Sequence, residues 1–486
     1  MPNKRLILIT PPYHAGVVEA AGSWPNLGFI YLAGQAREAG FEVQIYDAMT
    51  KGHGLKEIKD RIKAFRPDFV GSTGYTASAP AGLEVLAAAK EVDSAIISIM
   101  GGIHANFMYR EILEQNPETV NFVVRGEGEE TLPELLKTVQ SGGDVSKVKG
   151  IAYTQAGQVL VTPERPFCSD LDALIPAWDL VDWPDYTFYV MPGSRLGLVN
   201  SSRGCSNNCS FCSQQKFWYR SYRARSPESF VGELEFLRDK YGVTVVMLSD
   251  EYPTKLRERW EQILDLMIVR NVGVYLLLET CVEDVLRDAD ILDKYRRAGV
   301  IHLYVGVETT DPERLLSFQK NIKVDQSKEC LRLLQDAGIV SECSFVLGMP
   351  DETGETVAKT LELAKIYGPD FAHFLHIAPW PYADIYEELK PYIEVYDYTK
   401  YNFTEPIVKP NKMSMAEISQ SLLECYKSYY MDRAKTYPAI PDPFKREYML
   451  RSLEVMANNS FLKDQMGGLG PMPEEVINLL NSLSAR

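Results

Sequence analysis

The sequence predicts an α/β chain built in series: a doubly wound parallel sheet, a partial barrel of six β/α units, and a mostly helical carboxyl-terminal region. Three observations predict it. Short β-branched runs alternate with helix-period segments over the first 150 residues, a second such series starts at Arg195, and from Ser414 helical periodicity returns without strands. The expected divisions are 1–150 for the first sheet, 151–192 for a hairpin and linker, 193–385 for the barrel and 386–486 for the helical region.

In the first series the strands are RLILIT from Arg5, EVQIYDA from Glu42, DFVGST from Asp68, AIISIMGG from Ala95 and NFVVRGEGE from Asn121. Helical segments such as LGFIYLAGQAREAG separate them, which gives a sheet of Rossmann or flavodoxin type. Such sheets bind ligands outside the carboxyl ends of their strands. Those ends here carry PPYHAG, GSTGYTAS, GGIHAN and RGEGEE. A glycine after one strand is turn chemistry, but four small, polar loops on one edge favour a bound cofactor. No G-x-G-x-x-G follows the first strand, so a dinucleotide is not supported. A hairpin-like GIAYTQAGQVLVT and a Pro- and Trp-rich connector come next.

The second series reads LGLVNSS, VTVVMLSDE, GVYLLLET, IHLYVGVET, VSECSFVLG and FAHFLHIAPW, with amphipathic helices between. Six units suit an open three-quarter barrel, whose chemistry sits at the carboxyl ends of its strands. After Pro381 the chain is tyrosine-rich and partly irregular before its helical end.

A chain of 486 residues exceeds one ordinary core. Its net charge of −15 comes with no basic block, which argues against nucleic acid as a partner. No apolar run approaches the roughly 20 residues that cross a bilayer. The opening MPNKRLILITPPYH reads as a strand rather than a signal peptide, so the expected location is cytoplasmic. Of eight cysteines, Cys168, Cys281, Cys330, Cys343 and Cys425 are scattered and default to small buried hydrophobes. The other three, Cys205, Cys209 and Cys212, fall within GCSNNCSFCS, just after the first barrel strand.

Structural zinc needs four ligands, usually as two pairs, and no second pair exists in the chain. A fully ligated iron–sulfur cluster also takes four thiolates. Three fit a four-iron cluster with one iron left open. This arrangement resembles the radical S-adenosylmethionine (SAM) superfamily, whose motif is Cys-x3-Cys-x2-Cys with an aromatic residue before the last cysteine. Cys205, Cys209, Phe211 and Cys212 match it. The resemblance implies a 4Fe-4S cluster whose open iron chelates SAM and cleaves it to a 5′-deoxyadenosyl radical. It also implies SAM contacts at the strand ends: Asp250 and Glu251 after the second strand, Glu308 after the fourth, and Ser344 and Gly348 along the fifth.

An amino-terminal sheet before such a barrel resembles the cobalamin-binding class of this superfamily. On that likeness Gly101, Gly102, His104, Arg125, Gly126, Glu127, Gly128 and Glu129 surround the corrin, with Ser72, Thr73 and Thr76 beside its edge or tail and Tyr13 and His14 in the first loop. The D-x-H-x-x-G motif that gives a histidine to cobalt is absent, so the lower axial ligand stays open. The segments PPYHAGVVEAAGSWPNLGFIYL, SRGCSNNCSFCSQQKFWYRSYRARSPESF, APWPYADIYEEL and VYDYTKYNFTEPIVKP are similar to the family of anaerobic magnesium-protoporphyrin IX monomethyl ester oxidative cyclases. That resemblance implies oxidative closure of a tetrapyrrole ring with oxygen from water, and an external one-electron donor such as flavodoxin or ferredoxin. A cobalamin-dependent radical SAM methyltransferase is the alternative, since it would use the same cofactors and residues. Trp218, Tyr219, His376, Trp380 and Tyr382 lie on strand-end segments as candidates for a flat aromatic pocket, against which stands packing between domains.

Overall fold

The computed structural model describes residues 4–14 and 21–459. The chain divides into two compact units, Met1–His14 with Trp24–Asp185 and Ala15–Ser23 with Tyr186–Arg486.

In the first unit β1 (Arg5–Thr10), β2 (Glu42–Asp47), β3 (Phe69–Thr73), β4 (Ile97–Gly101) and β5 (Phe122–Val124) are followed by the hairpin β6 (Ile151–Gln155) and β7 (Gln158–Val161). The sheet order is β2-β1-β3-β4-β5-β6-β7. The first five strands are parallel in the flavodoxin order. Alternate residues of β1 face opposite sides, so one strand feeds two cores. Ile7 and Ile9 pack with Ile58, Ile62, Val85 and Leu113. Leu6 and Leu8 pack with Phe29, Ala33, Leu132 and Leu136 on the other face. The hairpin, expected as part of a separate connector, instead extends this sheet through antiparallel pairing of β5 with β6. Tyr153, opposite Phe122, gives it an apolar anchor, with the two rings 5.9 Å apart.

The second unit begins its sheet with β8 (Leu196–Val199). A two-residue antiparallel pair follows, β9 (Ser202–Arg203) with β10 (Arg223–Ala224). Then come β11 (Val245–Leu248), β12 (Tyr275–Thr280), β13 (Val300–Val305), β14 (Val340–Leu347) and β15 (Phe371–His376). The six long strands run in the order β15-β14-β13-β12-β11-β8, every neighbour parallel. The loop after β8 meets segments after β13 and β15: Ser210 N donates to Phe318 O at 3.1 Å, and Ile385 N donates to Ser210 O at 3.0 Å. Those contacts require the sheet to curl into a partial barrel.

The helical region closes that barrel rather than standing apart from it. In helix Met415–Thr436, begun by a Ser414–Glu417 capping box, the Tyr430 hydroxyl meets both N and O of Ala372 on the edge strand β15. Helix Pro443–Asn459 crosses the strand starts, with Tyr448 OH 2.8 Å from His302 Nδ1 and Lys445 Nζ 2.7 Å from Asp370 Oδ2. The helical expectation for 460–486 falls outside the described residues.

Candidate active site

The cysteine loop leaves the sheet at β9 through Gly204, whose φ of +97° favours glycine. A Cβ there would lie 2.2 Å from Ser221 O, so no other residue fits the turn. Two acidic residues after β11 brace this turn. Glu251 accepts from Gly204 N at 2.9 Å and from Trp218 Nε1 at 2.7 Å. Asp250 accepts from Ser201 N at 2.8 Å, Ser201 Oγ at 2.7 Å and Ser202 Oγ at 2.6 Å. Asp250, expected with Glu251 among the SAM contacts, has its carboxylate engaged by the protein itself. Its buried carboxylate ties β9 to the end of β11, because those hydroxyls replace the water it loses on burial.

Farther along the loop, Gln215 Nε2 donates to Cys209 O at 3.2 Å and to Asp384 Oδ2 at 2.6 Å, and Phe211 packs edge-on against Phe318 with centroids 5.1 Å apart. All three cysteines are free and partly buried. Burial pushes the Cys209 thiol up to about 11 and the Cys212 thiol up to about 12, and the thiols raise one another further. Ionising three such thiols needs strong positive charge in their midst. Among the described residues no three His, Cys, Asp or Glu side chains form a single-ion site. Three free thiols on one eight-residue loop are a donor set that fits a multi-iron cluster.

Beside the loop lies Lys320, which the sequence did not single out. Its ammonium sits 3.0 Å from Glu308 Oε1 and 2.8 Å from Gly306 O. Burial opposes that charge, but Glu308, Cys209 and Cys281 outweigh it and hold the lysine above its ordinary value. Glu308 takes a left-handed φ of +63°, an expensive conformation for a non-glycine residue. Its other oxygen accepts from Ser344 Oγ at 3.3 Å, and Ser344 meets Tyr304 OH at 2.5 Å. Glu308 and Ser344 thus come together. Gly348, also at positive φ, ends β14 with its N–H given to Glu352 at 3.2 Å.

Deeper in the barrel, Glu342 on β14 lies between two imidazoles, with Oε2 2.7 Å from His302 Nε2 and Oε1 2.5 Å from His373 Nε2. Cys281, at the end of β12, has Asn207 Nδ2 3.4 Å from its sulfur, so it borders the cysteine loop instead of filling a core.

The five candidate pocket residues divide. Tyr219 is 65 % exposed and, with Arg220, is held at positive φ. Trp218 is buried against Phe217 and Arg223, and Tyr382 is buried too. Trp380 is half-buried against Tyr401 and Phe403. His376 is 1 % exposed and shares the outer face of β15 with Phe374, which packs on Tyr426 and Tyr429 of helix Met415–Thr436. Strand alternation turns it away from the lumen, and burial lowers its pKa to about 3, so it is neutral.

In the first unit, the loops after β1, β3, β4 and β5 share one sheet edge at the strand-order reversal between β1 and β3. A Cβ at Gly101 or Gly126 would meet no atom within 4 Å, so the edge is open at these two positions. Tyr13 is half-buried and His14 exposed beside it, and Tyr75, which the sequence did not single out, is 73 % exposed in the loop after β3. Other members of the predicted set serve the scaffold. Ser72 Oγ donates to Ile9 O at 3.1 Å, a Cβ at Gly102 would strike Thr73 Oγ1 at 2.5 Å, and one at Gly128 would strike Leu32. Glu127 accepts from Cys168 N at 2.7 Å, Glu129 is buried, and Arg125 lies over the Tyr109 ring beside Glu164. His104 Nδ1 is 3.2 Å from Thr76 Oγ1, both buried, and burial lowers the imidazole to about 4. These residues fit cobalamin as a framed, open edge.

Family models for the B12 binding domain and the radical SAM superfamily match residues 13–136 and 199–364. The chain is 36 % identical, over 98 % of its length and 87 % of the other's, to the anaerobic magnesium-protoporphyrin IX monomethyl ester cyclase of Rubrivivax gelatinosus. It is also 36 % identical to the cyclase of Cereibacter sphaeroides, over 95 % of this chain and 76 % of that one. Its fold matches the radical SAM methyltransferase TsrM of Kitasatospora setae, solved with cobalamin and a 4Fe-4S cluster, at a TM-score of 0.71 and 16 % identity over the whole of both chains. The barrel, the sheet and these matches define a cobalamin-dependent radical SAM enzyme, which uses a 4Fe-4S cluster, SAM and cobalamin. Within that class the chain belongs to the anaerobic magnesium-protoporphyrin IX monomethyl ester cyclase family. Among the described residues no helix is long and apolar enough to cross a membrane.

Proposed function

We propose that this enzyme closes a tetrapyrrole ring oxidatively, taking magnesium-protoporphyrin IX monomethyl ester or a related porphyrin as substrate and oxygen from water. The observation that carries this is the 36 % identity to the Rubrivivax cyclase over 98 % of the chain, which spans both cofactor domains. When bound, the cluster, SAM and cobalamin supply a radical that removes hydrogen from an unactivated carbon and an acceptor for a further electron.

This chain's residues do the holding and the aiming. Cys205, Cys209 and Cys212 are assigned as cluster ligands, on a loop fixed by Gly204, Glu251 and Gln215. Glu308 and Ser344 offer oxygens to the ribose of SAM, with Lys320 paired to Glu308. Phe211, packed on Phe318, and Gly348 flank the adenosyl group. Tyr219, exposed by a strained backbone, offers a flat face to a flat substrate. Gly101 and Gly126 leave room for the corrin. A small one-electron carrier protein such as flavodoxin or ferredoxin supplies the electron, and the location is cytoplasmic, where such thiols stay reduced. We also propose that cobalamin binds the first unit, whose sheet the hairpin β6–β7 extends, and that the cluster and SAM bind the barrel over 193–385, which the helices up to Asn459 close.

A second reading, methyl transfer to an unactivated carbon, is favoured by the fold shared with TsrM. Anaerobic turnover of the reconstituted enzyme with SAM, reductant and the porphyrin ester, read by mass spectrometry, separates them. Substrate-dependent 5′-deoxyadenosine with an oxygenated or ring-closed porphyrin is the expected result. A methylated product accompanied by S-adenosylhomocysteine would overturn it.

A further inference from the structure

Among the described residues, carboxylates gather around the carboxyl end and lumen of the barrel, and most have protein partners. Asp250 is held by Ser201 and Ser202, Glu251 by Gly204 and Trp218, Glu308 by Lys320 and Ser344, and Glu342 by His302 and His373. Glu279 forms no hydrogen bond or ion pair with any described residue. It is the penultimate residue of β12, opposite Tyr304 of β13 in register. Its neighbours Leu276 and Leu278 are buried on the outer face, so alternation turns Glu279 into the lumen, where its side chain is open to solvent though protein surrounds it.

We propose that Glu279 is the proton acceptor of the oxidation. As the oxygen of water bonds to the oxidised substrate carbon, one O–H bond breaks and its proton passes to the Glu279 carboxylate. Two electrons leave that carbon, one with the hydrogen atom taken by the adenosyl group and one to cobalamin as the one-electron acceptor, so the charge balances. The assignment rests on the hydroxylating route proposed above. It also separates the two routes, because transfer of a methyl group to a carbon radical releases no proton to a base.

The surroundings suit the role. Glu251 from the end of β11, Glu342 from β14 and Glu308 from beyond β13 act on Glu279 electrostatically, with Tyr304 opposite it in register and Lys320 as the opposing cation. Burial first, and then the three carboxylates, raise its pKa to about 7. An acid near neutrality both accepts a proton and returns it, the condition for efficient general base catalysis.

The test compares the reconstituted wild type with Glu279→Gln and Glu279→Asp, after iron content and circular dichroism confirm folded, loaded protein. With the porphyrin ester, the Gln variant is expected to keep forming 5′-deoxyadenosine while oxygenated product falls on the order of 100-fold or more. The Asp variant is expected to restore part of it with a shifted pH profile. Infrared difference spectra are expected to show a carboxyl band titrating near neutral pH in wild type and missing in the Gln variant. Oxygenated product at the wild-type rate and pH profile in Glu279→Gln would overturn the Glu279 assignment alone. A wild type that leaves the porphyrin unchanged would overturn the proposed reaction and the assignment with it.

Discussion

Lys320 Nζ lies 3.0 Å from Glu308 Oε1, with both side chains largely enclosed beside the cysteine loop. Removing one partner of such a pair strands the other charge, which costs about 3–5 kcal/mol. Lys320→Met is therefore expected to lower the thermal midpoint and to weaken SAM binding measured by calorimetry. Wild-type SAM affinity in this variant would show that the pair does not hold the site.

Three thiols on one loop are expected to carry the cluster without help from the fourth nearby. Cys205→Ala, Cys209→Ala and Cys212→Ala should each lose cluster absorbance and iron while keeping bound cobalamin. Cys281→Ala should keep all three, although its sulfur borders the loop through Asn207. Iron and cobalt analysis decides both halves, and cluster loss in Cys281→Ala would enlarge the ligand set.

Glu342 gives a prediction in pH. Burial alone would raise its pKa, but His373 and His302 outweigh it and hold the carboxylate well below the usual range. A depressed folded pKa stabilises above the unfolded value, about 4.3 for Glu, and the benefit disappears as pH falls toward the folded value. Glu342→Gln should unfold at lower temperature than wild type at pH 7, with the gap narrowing below about pH 4. A gap that persists unchanged in acid would mean that shape, not charge, is what the residue contributes.

The Tyr430 hydroxyl serves both the N–H and the carbonyl of Ala372 on the edge strand. Tyr430→Phe leaves those buried groups unmet, at a cost of about 1–3 kcal/mol. Faster hydrogen exchange at the Ala372 amide and a lower thermal midpoint are the expected outcomes. Exchange unchanged at Ala372 would show that the helix covers the edge without this bond.

Much of the fold was legible because its signals are local. Each of the eleven quoted runs contains a strand of the two sheets, since a parallel strand buried on both faces must be apolar along its length. The cysteine trio was legible for the same reason, its ligands lying within eight residues. Hydrogen-bond partners were not. Asp250 and Glu251 carry adjacent numbers at one strand end, yet one braces β9 from inside and the other fastens Gly204 and Trp218. His376 reads like a site residue beside Trp380, but its register on β15 turns it outward, where helix Met415–Thr436 covers it.

By itself the sequence determined the two parallel sheets, the three-cysteine loop at the end of the first barrel strand and the loop-rich edge of the first sheet. Those follow from periodicity and short spacing, which a chain cannot hide. Only the tertiary structure decided that Lys320 faces Glu308, that Glu342 sits between His302 and His373, and that Glu279 stands in the lumen without a partner among the described residues. Curling the sheet brings residues as far apart in sequence as Gln215 and Asp384, 169 positions, into hydrogen-bond range. Whether a carboxylate braces, pairs or stays free depends on what that curl places beside it.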